Sequence, residues 1–394
     1  MVLRKEMFDL PEGVLYLDGN SLGPLPKAAR ARVSGMIADE WGQMLIRGWN
    51  DAGWMAQPAR LGDKIARLIG APGGSVVMGD TLSIKVYQAV AAALKLRPGR
   101  KVILSDTGNF PTDLYMVQGL INTLDQGYEL KTVAPEDAAD AIDDTVAAVM
   151  LTEVDYRTGR KHDMKAITEI AHANGAVMIW DLAHSAGAVP VDLAASNCEM
   201  AVGCTYKYLN GGPGAPAFIY VRPDLAAEVQ PALAGWMGHD APFDFDRDYR
   251  PAGGIERMRV GTPPIIQLAA LEAAMEVWEG VDMADVRAAS IALQEVFIRE
   301  VEARVPELTL SSPRDAGQRG SQVSFRFDEG YAAMQALIAR GVIGDFRAPD
   351  TMRFGFTPLY LDEADVMAAV AHIETVMRDK LWDDPQYRKR SRVT

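Results

Sequence analysis

The hydrophobic pattern of the chain predicts short buried strands that alternate with helices. Predicted strands lie at 75–78, 101–105, 147–151, 176–180, 200–203 and 217–221, where short apolar runs occur. Predicted helices lie at 58–69, 84–96 and 165–174, and glycine ends two of them. Strand, helix and strand at this spacing indicate βαβ units, so we predict an α/β fold with a mostly parallel sheet.

The pattern changes after residue 264. Helices are predicted at 265–280, 288–305, 331–340 and 362–380, and strands at 321–327, 342–346 and 351–356. We therefore expect a large domain over 51–264 and a bridging helix with a smaller α+β domain over 265–394. An N-terminal segment over 1–50, with a strand at 14–18 and a helix at 26–41, is expected to pack with the small domain and the site.

Composition and charge exclude several classes of protein. The 394 residues are 48% hydrophobic and 24% charged, which is ordinary for a globular protein. The net charge of −13 disfavours nucleic-acid and anionic-membrane partners. We expect a cytoplasmic protein, because the chain has neither an apolar signal core nor a run of transmembrane length. The two cysteines, Cys198 and Cys204, predict no disulfide framework and no metal site.

Two charged residues follow neighbouring predicted strands. The run at 176–180 ends in Asp181, and the run at 200–203 is followed by Lys207 and a glycine-rich loop. Ligands of open α/β sheets bind at this edge, where the strands end. If each residue is considered alone, the simplest interpretation is that the lysine is a surface charge and that the aspartate caps a helix. Together they suggest pyridoxal 5'-phosphate (PLP), which needs a lysine for a Schiff base and a carboxylate beside the pyridine nitrogen.

Several separated motifs resemble one family. The stretches WDLAHSAG and CTYKYLNGGPG around these two residues, with YLDGNSLGPLPK, GNFPTD and GTPP elsewhere, resemble the kynureninase family. That family belongs to the PLP-dependent enzymes of the aspartate aminotransferase fold, fold type I. The resemblance runs from about residue 16 to residue 262, with a further match near Arg353. It implies a PLP-dependent transferase-like three-layer sandwich, and a homodimer with shared active sites that hydrolyses L-kynurenine to anthranilate and L-alanine. It also implies a place in tryptophan catabolism or NAD biosynthesis.

The resemblance implies catalytic roles for residues near the two strand ends. Lys207 would hold PLP and then serve as the base for the substrate α-proton. Asp181 would keep the pyridine nitrogen protonated. Tyr206 would bond the phosphate and shuttle a proton, and His184 would orient Asp181 or flank the cofactor ring.

Other matched positions are expected in the cofactor pocket. Leu82 and Ser83 end the polar loop that enters the predicted helix at 84–96, whose N-terminus suits a phosphate. Simple capping by Asp80, Thr81 or Ser83 is the alternative. Phe110 would stack on the pyridine ring, or else pack in the core. The remaining expected cofactor contacts are Thr112, Asp113, Thr152, Trp236 and Thr262.

Substrate binding is assigned to three residues by the same resemblance. Arg353 would clamp the substrate carboxylate, the alternative being a solvated charge at a strand edge. Trp49 and Thr262 would complete the partner subunit's site. Relatives that prefer 3-hydroxykynurenine resemble one another in carrying histidine and asparagine at these two positions. The tryptophan and threonine here predict a preference for L-kynurenine, with lower activity on the hydroxylated substrate.

Two other functions stay open at this point. One is another fold-type I enzyme, of the cysteine desulfurase and epimerase group. A desulfurase needs a cysteine on a mobile loop after the lysine, and both cysteines here precede Lys207. The other is a binding module that kept the fold without catalysis, against which the joint presence of Asp181, Lys207 and Arg353 argues. Fold alone does not separate these functions.

Overall fold

The N-terminal segment of the chain runs along the two larger parts of the molecule. The structure is a computed structural model that describes residues 2–390, so residue 1 and the predicted small-domain residues 391–394 lie outside it. The segment contains three two-residue strands, β1 Phe8–Asp9, β2 Leu15–Tyr16 and β3 Leu25–Pro26. β1 and β3 pair antiparallel, which folds the segment back on itself.

A helix follows, and it is not uniform. The pattern predicts one helix at 26–41, whereas α1 covers Lys27–Gly35 and the chain continues as a π-helix over Met36–Met44. A short helix, α2 Gly48–Asp51, and a longer one, α3 Gln57–Leu68, lead into the large part.

One sheet of seven strands forms the centre of the large part. In chain order the strands are β4 Val76–Met78, β5 Val102–Asp106, β6 Glu129–Val133, β7 Val146–Thr152, β8 Val177–Asp181, β9 Met200–Gly203 and β10 Phe218–Val221. Their order across the sheet is β4-β10-β9-β8-β7-β5-β6. Only β10 is antiparallel to its neighbours, β4 and β9, so the predicted mostly parallel sheet is confirmed.

Helices cover both faces of this sheet. They include α3, α4 Leu82–Leu96, α5 Pro111–Leu124 and α6 Met164–Ala173. Alternate residues of β8 lie in the cores on opposite faces of the sheet. Val177 and Ile179 pack with residues of α4 and α5, whereas Met178 and Trp180 pack with residues of α3 and α6. Burial on both faces explains why the strands read as continuous apolar runs. The predicted three-layer sandwich is confirmed.

The C-terminal part begins with a helix and carries a second sheet. Its elements are α7 Ile265–Ala274, α8 Met283–Arg304, β11 Thr309–Leu310, β12 Gln322–Arg326, α9 Gly330–Ile338, β13 Val342–Ile343, β14 Asp345–Arg347, β15 Thr351–Gly355, α10 Glu363–Arg378 and α11 Pro385–Arg388. Four strands form an antiparallel sheet in the order β11-β12-β15-β14. Helices α8 and α9 pack on it, and α10 packs against these two helices. β13 pairs in parallel with β2, which joins the N-terminal segment to this part.

Some elements differ from the sequence expectation. Helix α5 and strand β6 were not predicted. The residues of the GNFPTD motif, where α5 begins, were assigned to the cofactor pocket without a secondary structure, and β6 is a polar, largely exposed edge strand. Helix α4 begins at Leu82, two residues before the predicted start. The predicted helix at 265–280 ends as an α-helix at Ala274 and continues as a 3-10 turn at Met275–Trp278. In residues 2–390 we find no helix with the length and apolar character needed to cross a membrane.

Candidate active site

Asp181 and Lys207 lie at one edge of the central sheet. Asp181 is the last residue of β8, and Lys207 follows the end of the neighbouring parallel strand β9 by four residues. Parallel strands end at the same edge, so both side chains are available to one ligand at the place where this class of sheet binds ligands. Asp181 is buried, whereas Lys207 is only partly buried and so remains accessible.

His184 contacts the lysine directly. Its Nε2 lies 3.0 Å from Lys207 Nζ. Burial, followed by the positive charges of Lys207, Arg353 and Arg347, lowers the pKa of His184 well below its usual range. The imidazole is therefore neutral, and Nε2 accepts a hydrogen bond from the lysine amine while Nδ1 carries the ring proton. That buried Nδ1 has no hydrogen-bond partner among the described residues, which leaves a donor for a bound molecule.

Asp181 shares its surroundings with a second buried carboxyl group. Asp181 accepts a hydrogen bond from the Ala183 amide at 2.8 Å, and its Oδ2 lies 3.3 Å from the Thr152 hydroxyl oxygen. Burial, then the charge of Asp181 and a hydrogen bond to it, raises the pKa of Asp113 well above its usual range. Burial raises the pKa of Asp181 as well, although the charge of Lys207 and hydrogen bonds oppose this. Because the pKa of Asp113 is raised further, a proton held by the pair favours Asp113, and Asp181 is the better carboxylate for a cation.

Asn109 organises this corner, although the sequence analysis did not assign it to the site. Its side-chain oxygen accepts from Thr152 Oγ1 at 2.5 Å and from the Phe110 amide at 2.7 Å. Its amide nitrogen donates to Ser105 Oγ at 3.0 Å and to the Met150 carbonyl at 3.3 Å. Asn109 therefore fixes both Thr152 and Phe110. The available signal was its place inside the GNFPTD motif.

Phe110, Thr112 and Asp113 are brought together by the start of α5. Phe110 precedes the first helical residue, Pro111, and Thr112 and Asp113 lie in the first turn. The Phe110 ring is 43% exposed and packs edge-on against Tyr156, with ring centroids 5.2 Å apart. Core packing, the alternative for Phe110, does not fit so exposed a ring. A planar ligand at this edge can stack on it.

The N-terminus of α4 is open to an anion. Leu82 and Ser83 are its first residues, and the N-cap residue Thr81 makes no side-chain capping bond. The carboxylate of Asp80 is instead 3.3 Å from the buried Lys85 amine. Capping, the alternative to phosphate binding, is absent from the described contacts. The first-turn N–H groups are therefore free for a phosphate.

Three predicted site residues lie apart from Lys207 in the single chain. Trp236 begins a 3-10 turn and is 42% exposed, with its ring 5.8 Å from that of Phe243. Thr262 is exposed, on a turn that borders Gly79 and Asp80 beside the α4 N-terminus. Trp49 lies in α2 and packs edge-on against Trp54 at 5.7 Å. None of the described contacts of these three residues reaches Lys207 or Asp181.

Tyr206 lies beside the lysine in a partly buried position. Its ring centroid is 5.7 Å from Lys207 Nζ, and its carbonyl accepts the Gly23 amide at 2.8 Å. The adjacent Cys204, then burial, raises the pKa of the Tyr206 phenol above its usual range. The phenol therefore keeps its proton and can donate it.

Arg353 joins three parts of the chain. It lies on β15, almost fully buried, and its Nε is 2.5 Å from Asp345 Oδ1. Its Nη2 donates to Ser21 Oγ at 3.0 Å and to Asp345, and its Nη1 donates to the Tyr156 carbonyl. The alternative of a solvated strand-edge charge is wrong, because the side chain is 1% exposed and held by four hydrogen bonds.

These residues fit PLP. The cofactor needs an amine for its aldehyde, a carboxylate for its pyridine nitrogen and donors for its phosphate. Lys207 supplies the first, the buried Asp181 carboxylate the second, and the uncapped N-terminus of α4 the third. The exposed Phe110 ring and the unpartnered His184 Nδ1 are two further groups that a bound cofactor can contact.

Comparisons with known proteins agree with the fold and with this chemistry. The kynureninase C-terminal domain family matches residues 286–373, and the DegT/DnrJ/EryC1/StrS aminotransferase family matches residues 60–201. Kynureninase of Pseudomonas fluorescens is 51% identical over 99% of this chain and 95% of its own length. Kynureninase of Burkholderia pseudomallei strain 1106a is 50% identical with the same coverage.

The solved structures show the fold. A cysteine desulfurase of Thermococcus onnurineus NA1 superposes with a TM-score of 0.80 at 18% identity, covering 95% of this chain and 98% of its own. The cysteine desulfurase CsdA of Escherichia coli gives 0.79 at 19% identity, covering 95% and 97%.

Fold and site together define an enzyme of the PLP-dependent class with the aspartate aminotransferase fold. Within that class the relatives decide the family, because about half of all residues are identical over nearly the whole chain. The chain belongs to the kynureninase family, and PLP is its cofactor. A desulfurase would need a mobile cysteine, whereas Cys198 and Cys204 are both buried and precede Lys207.

Proposed function

We propose that two copies of this chain form a homodimer that hydrolyses L-kynurenine to anthranilate and L-alanine. The observation that carries the proposal is the position of Lys207, 3.0 Å from a neutral His184 and at the same sheet edge as the buried Asp181. The family to which the chain belongs supports the choice of substrate. A cytoplasmic location and a role in tryptophan catabolism or NAD biosynthesis stay predictions. So does the absence of a nucleic-acid partner, which the net charge of −13 supports.

The proposed reaction divides its steps among the chain's own residues. PLP, when bound, supplies an electron sink for the substrate α-carbon. The Lys207 amine takes the α-proton, and His184 Nε2 holds that amine in place without competing as a base, because its own pKa is low. The Asp181 carboxylate would hold the pyridine nitrogen of PLP. Tyr206 keeps its phenolic proton, so it can bond the phosphate and shuttle a proton, as expected of it.

The hydrolytic step balances with one water molecule. Water adds to the aryl ketone of the substrate, and the bond between Cβ and the carbonyl carbon then breaks. Anthranilate leaves with the oxygen of that water, and Cβ takes a proton to give alanine. Arg353 holds the substrate carboxylate throughout, so its role is to bind the substrate and not to transfer a proton.

An apolar surface beside Trp49 supports the homodimer. Trp41 is 55% exposed, Leu45 61% and Ile46 77%, all on the π-helix or the turn after it. Large apolar side chains grouped in one exposed segment mark interfaces between proteins. We propose that a second copy covers this segment, and that its Trp49 and Thr262 complete the neighbouring site.

Substrate choice follows from that arrangement. A tryptophan in the place of a hydrogen-bonding histidine offers the aromatic ring of the substrate an apolar face and only an N–H donor. A hydroxyl added to the ring then finds no hydrogen-bond acceptor on Trp49, although the Thr262 hydroxyl can still bond it. We expect a higher kcat/KM for L-kynurenine than for 3-hydroxykynurenine, by about a hundredfold at most, since such pockets reject a hydroxyl weakly.

The test compares the two kcat/KM values on purified, PLP-saturated protein, with the fluorescence of each anthranilate product as the assay. The variant Trp49→His/Thr262→Asn should shift the preference toward 3-hydroxykynurenine. Trp382→His, a change of the same type in the 3-10 turn Leu381–Asp383 of the C-terminal part, is the control and should leave the ratio unchanged. Absence of anthranilate from L-kynurenine would overturn the function. A native preference for the hydroxylated substrate would overturn only the role of Trp49.

A further inference from the structure

Strands β14 and β15 place three charged side chains on one face of the small sheet. The strands are antiparallel, and Asp345 lies directly opposite Arg353. Alternate residues of a strand point to the same face, so Arg347 shares the face of Asp345. Neither Asp345 nor Arg347 was singled out by the sequence analysis.

Asp345 holds both guanidinium groups. Its carboxylate contacts Arg353 through Nε and Nη2, and its Oδ2 lies 2.8 Å from Arg347 Nη2. Ser21 of the N-terminal segment donates its hydroxyl to the same carboxylate. Burial raises the pKa of Asp345, but the charges of Arg353 and Arg347 and the hydrogen bonds from Arg353 and Ser21 outweigh it, so the pKa lies below its usual range. Asp345 is therefore a fixed anion between two cations.

The cluster has an excess of positive charge. Two guanidinium groups share the single ionised carboxylate of Asp345. Asp18 also faces them, but burial and then the charge of Asp345 raise the pKa of Asp18 to about 7, so it neutralises the cluster only in part. A substrate carboxylate would supply the missing negative charge.

Arg353 cannot form a two-bond fork with that carboxylate. A guanidinium has five N–H donors, and four of those on Arg353 already bond Asp345 twice, Ser21 and Tyr156. One N–H, on Nη1, is left. Arg347 keeps more N–H groups for a ligand. Its described contacts occupy one N–H at the Phe346 carbonyl and one at Asp345. Its side chain is also 35% exposed, against 2% for Arg353, so it borders open space.

Arg353 borders the candidate active site, because it donates to the carbonyl of Tyr156, whose ring packs against that of Phe110 with centroids 5.2 Å apart. The positive charges of Arg353 and Arg347 each contribute to the low pKa of His184, whose Nε2 touches Lys207 Nζ. Their charges therefore reach the region that the substrate amine and its carboxylate would occupy.

We propose that Arg347 is a second carboxylate-binding residue of the substrate site, acting with the remaining N–H of Arg353. Asp345 is the positioning residue that holds both guanidinium groups at the proper distance from each other. This inference rests on the proposed role of Arg353 as the carboxylate clamp. It assigns recognition of the α-carboxylate to two arginines on neighbouring strands instead of one.

The experiment separates the carboxylate from the rest of the substrate. Wild type, Arg347→Gln, Arg347→Lys and Arg353→Gln are compared for KM and kcat on L-kynurenine. Equilibrium dissociation constants are measured for L-alanine and for the α-amide of L-kynurenine, through the change in the visible absorbance of the PLP-loaded protein. The amide lacks the negative charge, so it reports every contact except that with the carboxylate. Melting temperature and PLP absorbance check that each variant is folded and loaded.

Arg347→Gln should raise KM for L-kynurenine and the dissociation constant of L-alanine about tenfold, the low end for a hydrogen bond to a charged group. The α-amide should bind as in the wild type, kcat should change little, and Arg347→Lys should restore part of the loss. Equal weakening of the amide and of L-alanine, or unchanged binding of both, would overturn the role of Arg347. If Arg353→Gln discriminates between them while Arg347→Gln does not, only this inference fails. If neither variant does, the clamp itself is wrong.

Discussion

Glu153 tests directly whether burial keeps a carboxyl group of this protein protonated. It follows Thr152 at the end of β7, its side chain is 3% exposed, and its Oε2 has no hydrogen-bond partner among the described residues. Burial raises its pKa from 4.5 to about 7, more than the Ser185 hydroxyl and the charges of Lys161 and Arg287 lower it. Glutamine has nearly the same shape and imitates the protonated form, so Glu153→Gln is the perturbation of choice.

The sign of the effect follows from proton binding. The folded state binds the Glu153 proton more tightly than the unfolded state. The stability that this provides is present below about pH 4.5 and is lost as pH rises through about 7. A shift of about 2.5 pKa units corresponds to about 3 kcal/mol at 1.36 kcal/mol per unit. About 2 kcal/mol of this falls between about pH 5.5 and about pH 8.

The variant should therefore gain stability over the wild type as pH rises. An unfolding entropy of about 2.1 cal/mol/K per residue gives about 0.8 kcal/mol/K for 394 residues. The difference in Tm between variant and wild type should then grow by about 2–3 °C from about pH 5.5 to about pH 8. The assay is calorimetry at equal protein concentration and saturating PLP. Glu307→Gln, a change at an exposed glutamate, is the matched control and should show no pH-dependent difference.

Only the pH-dependent part of the comparison tests the reasoning. Any part of the Tm difference between Glu153→Gln and wild type that is the same at every pH reports shape or hydrogen bonding, and it is subtracted. A difference that stays flat from about pH 5.5 to about pH 8 would show that the Glu153 carboxyl is solvated in the folded protein.

Two further predictions concern the cofactor and the assembly. Borohydride reduction of the purified protein should fix PLP on Lys207, as mapped by peptide mass, and Lys207→Ala should abolish both the adduct and turnover; a label on another lysine would refute the assignment. Trp41→Glu with Ile46→Glu should weaken the dimer in sedimentation experiments and reduce activity on dilution, because an exposed apolar segment would acquire charge at the contact. A fully active monomer would contradict the shared site.

The central sheet and the position of its reactive residues followed from local patterns. An apolar run that ends abruptly in Asp181, and another that precedes Lys207, are visible within a few residues of sequence. Parallel strands end at one edge, so the two had to meet there once the βαβ order was recognised. The start of α4 was also predicted to within two residues, because the polar residues before the helix and its helical period are local features of the sequence.

Elements with weak local signals were missed. Strand β6 is largely exposed at the sheet edge, so it lacks the apolar run that identified its neighbours. The first turn of α5 received no helix prediction, and the part played by Asn109 in fixing Thr152 and Phe110 was overlooked. A short polar motif does not reveal its hydrogen-bond partners, because they come from strands distant in sequence.

Sequence by itself determined the layer architecture, the family and the residues that the family motifs contain, because burial pattern and motif order are properties of the chain. Only the tertiary structure decided the surroundings that set their charge. Arg353 meets Ser21 across 332 positions of sequence and the Tyr156 carbonyl across 197. The low pKa of His184 and the raised pKa of Glu153 arise mainly from burial, which depends on how distant segments pack. Hydrogen-bond geometry and desolvation act through space, and no local pattern encodes them.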